Sequence, residues 1–344
     1  MKRVCIIGHF GHGENLLNGQ TVKTKIVTKE IVKELGKKEV SCIDTHGGMK
    51  TLINSLLQLL TVVKYHKNII IMPAENGLRI FAPLLVLLNL LYHRKLHYVV
   101  IGGWLPEFLK KRKKLTKALM SFDCIYVETN TMRKALEIEG FNNVYVMPNF
   151  KDLNILKESE LVYPHTEPYH LCTFSRVMKE KGIEDAVNAV KTVNEHLGRT
   201  VYTLDIYGQV DSAQTEWFNE LKSTFPSYIK YGELVPFDKS VEVLKNYFAL
   251  LFPTYYEGEG FAGTLLDAMA AGVPVIASDW KYNSEIVNEK AGYVYPAHDN
   301  HALVDTLLCV GKNPNMLLSK KSGCLKEAEK YRAENVIKRL TSKL

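Results

Sequence analysis

The stretch FPTYYEGEGFAGTLLDAMAAGVPVIASD, from Phe252 to Asp279, carries the clearest indication of the fold. Its two ends are apolar runs that predict strands. Between them lie a glycine-rich acidic loop, a helical pattern and a Gly-x-Pro turn. Gly260 and Gly263 allow the loop backbone to approach a ligand closely, and the first amides of the helix offer unpaired donors to an anion. This order of elements predicts one βαβ unit of a parallel sheet.

Two acidic side chains lie around the start of this helix. Glu259 precedes it, and Asp267 follows eight residues later, slightly over two helical turns on. We therefore expect the two side chains to project from nearly the same face. One carboxylate is then expected beside the head of a bound phosphate, and the other beside the hydroxyls of a ribose.

The alternation of strand and helix extends outward over the whole chain in two series. The first series predicts strands at Val4–Ile7, Val40–Ile43, Asn68–Met72, His97–Ile101, Cys124–Val127 and Val144–Met147. The second predicts strands at His170–Phe174, Tyr202–Tyr207, Leu250–Phe252, Val273–Ile276 and Gly292–Tyr295. Continuous apolar runs are typical of parallel strands that are covered on both faces.

These series predict an α/β protein with two doubly wound, Rossmann-like domains that face each other across a cleft. A length of 344 residues agrees with two domains. The polar stretch 148–168 is predicted to be the linker. We expect an acceptor-side domain at 1–150, a donor-binding domain at 151–325, and a C-terminal helix at about 326–344 that returns to the first domain.

A second segment with chemistry follows the first strand of the second series. Arg176 and Lys181 lie between that strand and a helix. A guanidinium can bind a phosphate with two hydrogen bonds, and an ammonium can neutralise it as a point charge. Their position at the end of a parallel strand predicts that they hold an anionic ligand.

Taken together, these segments resemble the donor-binding signature of retaining GT-B glycosyltransferases, and of family 4 in particular. That signature combines a Glu-Gly-Phe-Gly loop, a second acid after seven intervening residues, an Ala-x-Gly-x-Pro-Val turn and an Arg-x4-Lys-Gly element. This chain has Ala262 where the family has glycine and Asp267 where it has glutamate. The aspartate is shorter than the glutamate by one methylene.

The resemblance implies a role for each matched residue. Glu259 would face the donor sugar, with Arg176 and Lys181 holding the diphosphate as the other catalytic residues. Asp267 would reach the ribose. The remaining donor-binding residues are expected to be Gly208, Val235, Gly260, Phe261, Ala262, Gly263 and Thr264.

The loop after the first strand has neither GxGxxG nor the Gly-Lys-Ser/Thr of a P-loop, which counts against a dehydrogenase or an NTPase. The resemblance places Gly19, Gln20 and Thr21 across the cleft from the donor phosphates and Gly103 on the acceptor side. His9 and His12 are candidates for acceptor contacts. Loop histidines are also often merely solvated, so both interpretations stay open.

No metal and no cofactor are expected. The chain has no Asp-x-Asp pair to bridge a diphosphate through a cation, so the cations and a helix terminus are predicted to stabilise the leaving group. The six cysteines are scattered, which fits a reducing compartment. The apolar run after Met1 is too short for a signal peptide, so a cytoplasmic protein is expected.

The positive charge is concentrated in the first half. Residues 1–150 hold 22 Lys/Arg against 11 Asp/Glu, with the densest run at Lys110–Lys117. Such a run indicates an anionic membrane, nucleic acid or an anionic substrate, although a solvated helix face gives the same pattern. No nucleic-acid-binding module accompanies it. The apolar segments Leu52–Val63 and Leu78–Tyr92 are predicted to be buried helices, but the second lies near the basic run, as in proteins that rest on an anionic leaflet.

These observations favour a retaining glycosyltransferase in bacterial surface polysaccharide synthesis, of the capsule, exopolysaccharide or O-antigen type. It would move a hexose or N-acetylhexosamine from a nucleoside diphosphate sugar to a hydroxyl of a lipid-linked acceptor at the inner face of the membrane. A UDP-sugar is favoured and GDP-mannose is possible. A UDP-N-acetylglucosamine 2-epimerase-like isomerase and a non-catalytic nucleotide-sugar-binding protein are the alternatives.

Overall fold

The chain folds into two compact units. The computed structural model describes residues 1–11, 14 and 19–344. The first unit consists of Met1–Asp152 together with Arg332–Leu344, and the second unit consists of Leu153–Tyr331. The segment that returns to the first unit therefore begins at Arg332 rather than near residue 326.

The first unit is built on a six-stranded parallel sheet in the order β2-β1-β3-β4-β5-β6. Its strands are β1 (Lys2–Gly8), β2 (Val40–Asp44), β3 (His66–Ile71), β4 (Lys95–Val99), β5 (Cys124–Val127) and β6 (Val144–Val146). Its helices are α1 (Gly19–Leu35), α2 (Gly48–Tyr65), α3 (Glu75–Tyr92), α4 (Leu105–Leu109), α5 (Lys113–Met120) and α6 (Asn130–Ile138).

The second unit repeats this plan in the order β12-β11-β10-β7-β8-β9. Its strands are β7 (Tyr169–Phe174), β8 (Tyr202–Tyr207), β9 (Ile229–Glu233), β10 (Ala249–Phe252), β11 (Val275–Asp279) and β12 (Gly292–Pro296). Its helices are α7 (Ile183–Leu197), α8 (Thr215–Ser223), α9 (Ser240–Leu244), α10 (Gly263–Ala270), α11 (Asn283–Ile286), α12 (Asn300–Lys312), α13 (Asn315–Leu318) and α14 (Lys321–Glu329).

The returning segment forms two short helices, α15 (Ala333–Val336) and α16 (Lys338–Thr341). Val336, Ile337 and Leu340 are fully buried in the core of the first unit. The apolar strands of both sheets are covered by helices, as parallel strands require. In β10, for example, all four residues are buried.

Each sheet has one topological switch point, where successive crossovers change direction. In the first sheet, β1 lies between β2 and β3. In the second, the chain runs from β7 through β8 to β9 and then returns to place β10 on the other side of β7. Ligands of such sheets bind where the loops beyond the carboxyl ends of these neighbouring strands separate. In the second unit these are the loops after Phe174 and after Phe252.

The structure confirms two parallel sheets of the predicted kind and corrects several details. Strand β9 was absent from the predicted series, because Ile229–Glu233 alternates polar and apolar residues at the edge of the sheet. Strand β11 begins at Val275, since Val273 and Pro274 belong to the turn.

The expectation that α2 and α3 are buried is wrong. Helix α3 is long and apolar enough to span a membrane by length and composition, the one such helix among the described residues, yet only 22% of it is buried. The apolar pattern alone does not reveal whether a helix is covered on one face or on both.

Candidate active site

The switch point of the second sheet brings together a cation and a carboxylate that lie 78 residues apart. Lys181 Nζ donates to Glu259 Oε2 over 2.6 Å, and Thr254 Oγ1 donates to the same oxygen over 2.8 Å. The side chains of Lys181 and Glu259 are only 11% and 7% exposed. A buried carboxylate with two donors on one oxygen is held in a fixed orientation.

Gly182 explains how the two loops come so close. It has φ +68°, and an added Cβ would lie 2.1 Å from the carbonyl oxygen of Pro253. Only glycine accommodates both this backbone conformation and this contact. The amide of Tyr255 donates to the carbonyl of Glu180 over 2.8 Å, which fastens the loop after β10 to the loop after β7.

Arg176 lies nearby and is half exposed. Its Nη1 is 3.5 Å from Asp211 Oδ2, and its guanidinium carbon is 5.7 Å from the ring centre of Tyr256. Lys181 Nζ lies 4.9 Å from the same ring centre. The structure thus gathers the two predicted cations around Tyr256, whose negative ring face favours them. Asp211, Thr254 and Tyr256 were not selected from the sequence, although the last two belong to the quoted stretch.

The helix that follows begins at Gly263, with Ala262 as its N-cap residue. Glu259 therefore lies in the loop before the helix, as expected, and the projection of Glu259 and Asp267 from nearly the same face stays a prediction. Asp267 is buried on α10, and Gly260 is buried in the loop. The hydroxyl oxygen of Thr264 is buried, and among the described residues it has no hydrogen-bond partner.

Three further predicted donor-binding residues are Phe261, Gly208 after β8, and Val235 after β9. Phe261 is buried, and its ring lies edge to face with Tyr331, with centroids 5.1 Å apart. Gly208 has φ +134°, and its added Cβ would lie 1.8 Å from Ser175 O, so glycine is required there by the neighbouring loop. Val235 follows β9 and is half-buried.

In the first unit, His9 stands at the carboxyl end of β1 in a chain of polar contacts. Its Nδ1 is 2.7 Å from Thr21 Oγ1, and its Nε2 is 3.0 Å from His46 Nδ1. His46 Nε2 is in turn 3.4 Å from Glu14 Oε1. Burial, and then the neighbouring His46, lower the pKa of His9. His12 lies outside the described residues.

A cavity of about 630 Å³ lies at the carboxyl edge of the first sheet. Its lining combines polar side chains with an aromatic wall, and includes Gln20, Thr45, Glu75, Asn76, Phe81 and Trp104. Gln20 Nε2 donates to Met72 O over 3.4 Å. The indole of Trp104 is fixed, since its Nε1 donates to Ile101 O over 2.8 Å. Gly19 begins α1, and Gly103 immediately precedes Trp104.

Within the part of the chain that the structure describes, no three His, Cys, Asp or Glu side chains are grouped closely enough to hold a metal ion.

Known proteins with similar sequences are glycosyltransferases. Residues 168–313 match the family model of the glycosyl transferases group 1. The GtfA subunit of the UDP-N-acetylglucosamine–peptide N-acetylglucosaminyltransferase of Streptococcus gordonii is 29% identical over 186 residues, which cover 52% of this chain and 35% of that protein. The amylovoran biosynthesis glycosyltransferase AmsK of Erwinia amylovora is 26% identical over 204 residues, which cover 55% of this chain and 44% of that protein. The chain thus spans less than half the length of these curated relatives.

Solved structures match more of the chain. HepE of Anabaena, solved in complex with UDP, has a TM-score of 0.74 at 11% identity over 99% of both chains. The pneumococcal O-GlcNAc transferase GtfA, solved with UDP and GlcNAc, has a TM-score of 0.64 at 18% identity over 85% of this chain and 59% of that chain. At these identities the matches show the fold, which is GT-B. The similarity to the glycosyl transferases group 1 family covers residues 168–313, less than half of the chain.

Proposed function

We propose that this protein is a retaining glycosyltransferase that moves a hexose or N-acetylhexosamine from a UDP-sugar to a hydroxyl group of a sugar acceptor. One observation carries the proposal. The Lys181–Glu259 pair lies at the switch point of the second sheet, inside the segment that matches the group 1 family. A cation for the leaving diphosphate and a carboxylate for the sugar are the two charges that such a transfer needs.

The proposed chemistry assigns a task to each residue. Lys181 and Arg176 bind the diphosphate, and the amides at the start of α10 add donors to it. Glu259 faces the sugar and stabilises the positive charge that develops at the anomeric carbon. The acceptor oxygen forms its bond to that carbon on the face from which the nucleoside diphosphate departs. The bond to the diphosphate breaks, and a departing phosphate oxygen takes the acceptor's proton.

Ordering of the Lys181–Glu259 pair supports this assignment. The carboxylate already has its orientation fixed by Lys181 and Thr254, so little reorganisation is needed when the donor binds. When the diphosphate enters, it competes with Glu259 for the Lys181 ammonium, so that Oε2 keeps the hydrogen bond from Thr254 and the other carboxylate oxygen, Oε1, would face the sugar. The remaining hydrogen bond from Thr254 would keep the carboxylate in place.

The nature of the donor and acceptor is proposed from the relatives. UDP is favoured as the nucleotide because HepE and pneumococcal GtfA were both solved with it. A role in surface polysaccharide synthesis is proposed from the name of the amylovoran biosynthesis glycosyltransferase AmsK. A lipid-linked acceptor at the cytoplasmic face of the membrane is proposed from the basic first half of the chain. The first-unit cavity beside Trp104 is the proposed place for acceptor sugars, because an indole face packs well on a sugar ring.

The donor can be tested by thermal shift. We expect a UDP-sugar to raise the melting temperature, since a ligand at one hundred times its Kd stabilises the folded state by about 2.7 kcal/mol. GDP- and ADP-sugars are the comparison. Product analysis with the stabilising donor and a synthetic acceptor then tests transfer and the anomeric configuration. Formation of an epimer from the donor alone would identify an isomerase, and binding without transfer or hydrolysis would identify a sugar-binding protein.

We also propose that transfer needs no metal ion, because Arg176 and Lys181 supply the positive charge. Activity in excess EDTA should equal that in untreated enzyme. A strict dependence on Mn²⁺ or Mg²⁺ would contradict this part of the proposal while leaving the transferase assignment intact.

A further inference from the structure

Helix α3 is apolar on both of its faces. Leu78, Phe81, Ala82 and Leu85 are buried in the first unit, which fixes one face of the helix. The opposite face nevertheless exposes Leu87, Leu90 and Leu91. A helix that is apolar all round is stable where both faces meet an apolar environment. The unit provides that environment on one side only.

Helix α2 extends the exposed apolar surface. It packs against α3 and exposes Ile53, Leu57 and Leu60, whose spacing places them on one face. We call these three residues and Leu87, Leu90 and Leu91 the apolar ridge; each is between 50% and 80% exposed. Six large aliphatic side chains on two packed helices exceed the scattered apolar residues of an ordinary surface, and such surfaces mark interaction sites.

A basic groove adjoins the ridge. This cavity of about 650 Å³ lies between α3 and the start of α5 and is lined by the cations Arg79, Lys110, Lys111, Arg112, Lys113 and Lys114. Arg112 stacks on Phe108, 3.8 Å from the ring centre, and Lys110 pairs with Glu107 over 2.6 Å. Lys111, Lys113 and Lys114 are exposed.

The sequence around the basic groove is also positively charged. From Gly48 to Phe122 the sequence contains twelve Lys and Arg but only two acids, Glu75 and Glu107. A nucleic acid would account for the cations but not for the exposed leucines. A soluble protein partner would account for the leucines but would need a strongly acidic rim. An anionic lipid leaflet offers both an apolar interior and a dense layer of phosphates.

We propose that the apolar ridge and the basic groove form one docking surface for an anionic phospholipid bilayer. The ridge enters the boundary between head groups and acyl chains, and the groove holds lipid phosphates beside it. Helix α3 lies in the plane of the leaflet and does not cross it, because its buried face is part of the first unit's core. Only the purpose of this docking surface, which is to bring the enzyme to a lipid-linked acceptor, rests on the proposed function.

Vesicle flotation tests the docking surface. The intact protein should bind vesicles of phosphatidylcholine with phosphatidylglycerol, bind pure phosphatidylcholine much less, and lose affinity as salt is raised. Lys111→Gln with Lys114→Gln should weaken binding about 25-fold, because each cation near such a surface contributes about fivefold. Leu87→Ser with Leu91→Ser should weaken it at least about tenfold.

Matched controls lie elsewhere on the same unit. Ile138→Ser removes an equally exposed apolar residue on α6, and Lys37→Gln with Lys38→Gln removes two exposed lysines; these variants should bind like the unaltered protein. Equal loss in controls and test variants, or no vesicle binding, would overturn the inference. A dimer that dissociates in the Leu87/Leu91 variant would assign the ridge to a second copy instead.

Turnover is measured separately with a soluble acceptor. Vesicle binding without any transfer would defeat the proposed function and leave the docking surface standing. Transfer without vesicle binding would overturn the docking surface and leave the proposed function standing.

Discussion

At the scale of single residues, the Lys181–Glu259 pair gives the sharpest test of the proposed chemistry. Glu259→Gln keeps the size of the side chain and its hydrogen bond from Thr254 but removes the negative charge. We expect kcat to fall at least about 100-fold, as for the loss of one positioned electrostatic group. Steady-state transfer assays, with the melting temperature as a check on folding, measure this.

The same loop contains a matched control. Glu257 is 77% exposed and pairs with Lys281 over 2.7 Å. An exposed pair of this kind contributes little, so Glu257→Gln should keep nearly full activity. Similar losses in both variants would mean that the loop needs acidic residues in general, and near-normal turnover of Glu259→Gln would remove the assigned role.

A buried histidine predicts how stability depends on pH. His97 is fully buried, and burial lowers its pKa to about 4. The unfolded chain takes up this proton near pH 6.5 but the folded protein does not, so the free energy of unfolding falls as the pH drops from about 6.5 to about 4. The expected loss from this residue is about 3 kcal/mol.

Urea unfolding across this pH range measures the effect. His97→Gln can keep the contact that His97 Nε2 makes with Asn68 Oδ1 at 3.3 Å, while removing the titrating group. The variant should therefore show a smaller loss of stability on acidification than the unaltered protein. Identical pH dependence in the two proteins would contradict the assignment to His97.

The residue types of the site could be predicted from the sequence, but their partners could not. Arg176, Lys181 and Glu259 follow from motifs that span a few residues each. That Lys181 pairs with Glu259 depends on β10 lying beside β7, a neighbourhood set by the order of strands in the sheet. Contacts of that kind join residues far apart in the chain, and local pattern does not encode them.

At the scale of elements, alanine substitutions at the two glycines that flank α7 distinguish the cost of a left-handed backbone from the cost of a steric overlap. Gly182 and Gly198 have nearly equal φ values, +68° and +64°. An added Cβ at Gly198 meets nothing within 4 Å, whereas at Gly182 it would overlap the Pro253 carbonyl. Gly198→Ala should therefore cost only the left-handed conformation, about 1 kcal/mol.

Gly182→Ala should cost at least about 2 kcal/mol more, since the loops after β7 and β10 must separate to accept the methyl group. Because those loops carry Lys181 and Glu259, we also expect this variant alone to lose most of its transfer activity. Denaturant unfolding and kinetic assays on the two variants give both quantities. Equal destabilisation of the two would show that the contact with Pro253 can relax.

The elements themselves were largely predictable, for a physical reason. Strands of a parallel sheet are covered on both faces, so β1, β5 and β10 appear as apolar runs that alternate with helices. The edge strand β9 lacks such a run, so the series of apolar runs does not include it. Helices α2 and α3 were predicted as helices, but the burial of their second faces could not be predicted. A leucine-rich helix has the same sequence whether its second face meets protein, lipid or water.

At the scale of the whole molecule, each unit has its own core, and the C-terminal segment belongs to the first. Leu340 on α16 is fully buried with Val336 and Ile337 among first-unit side chains such as Phe150. Leu340→Ala should lower the stability of this unit by about 3 kcal/mol, while the donor-binding unit keeps its own. Hydrogen exchange in increasing urea, followed peptide by peptide, resolves the two units.

Ile138→Ala, at an exposed position of the first unit, is the control and should change the stability of neither unit. Addition of the UDP-sugar should still protect second-unit peptides in the Leu340→Ala variant, since the core that holds Lys181 and Glu259 remains intact. Equal loss of protection in both units would instead mean that the chain unfolds as one cooperative body.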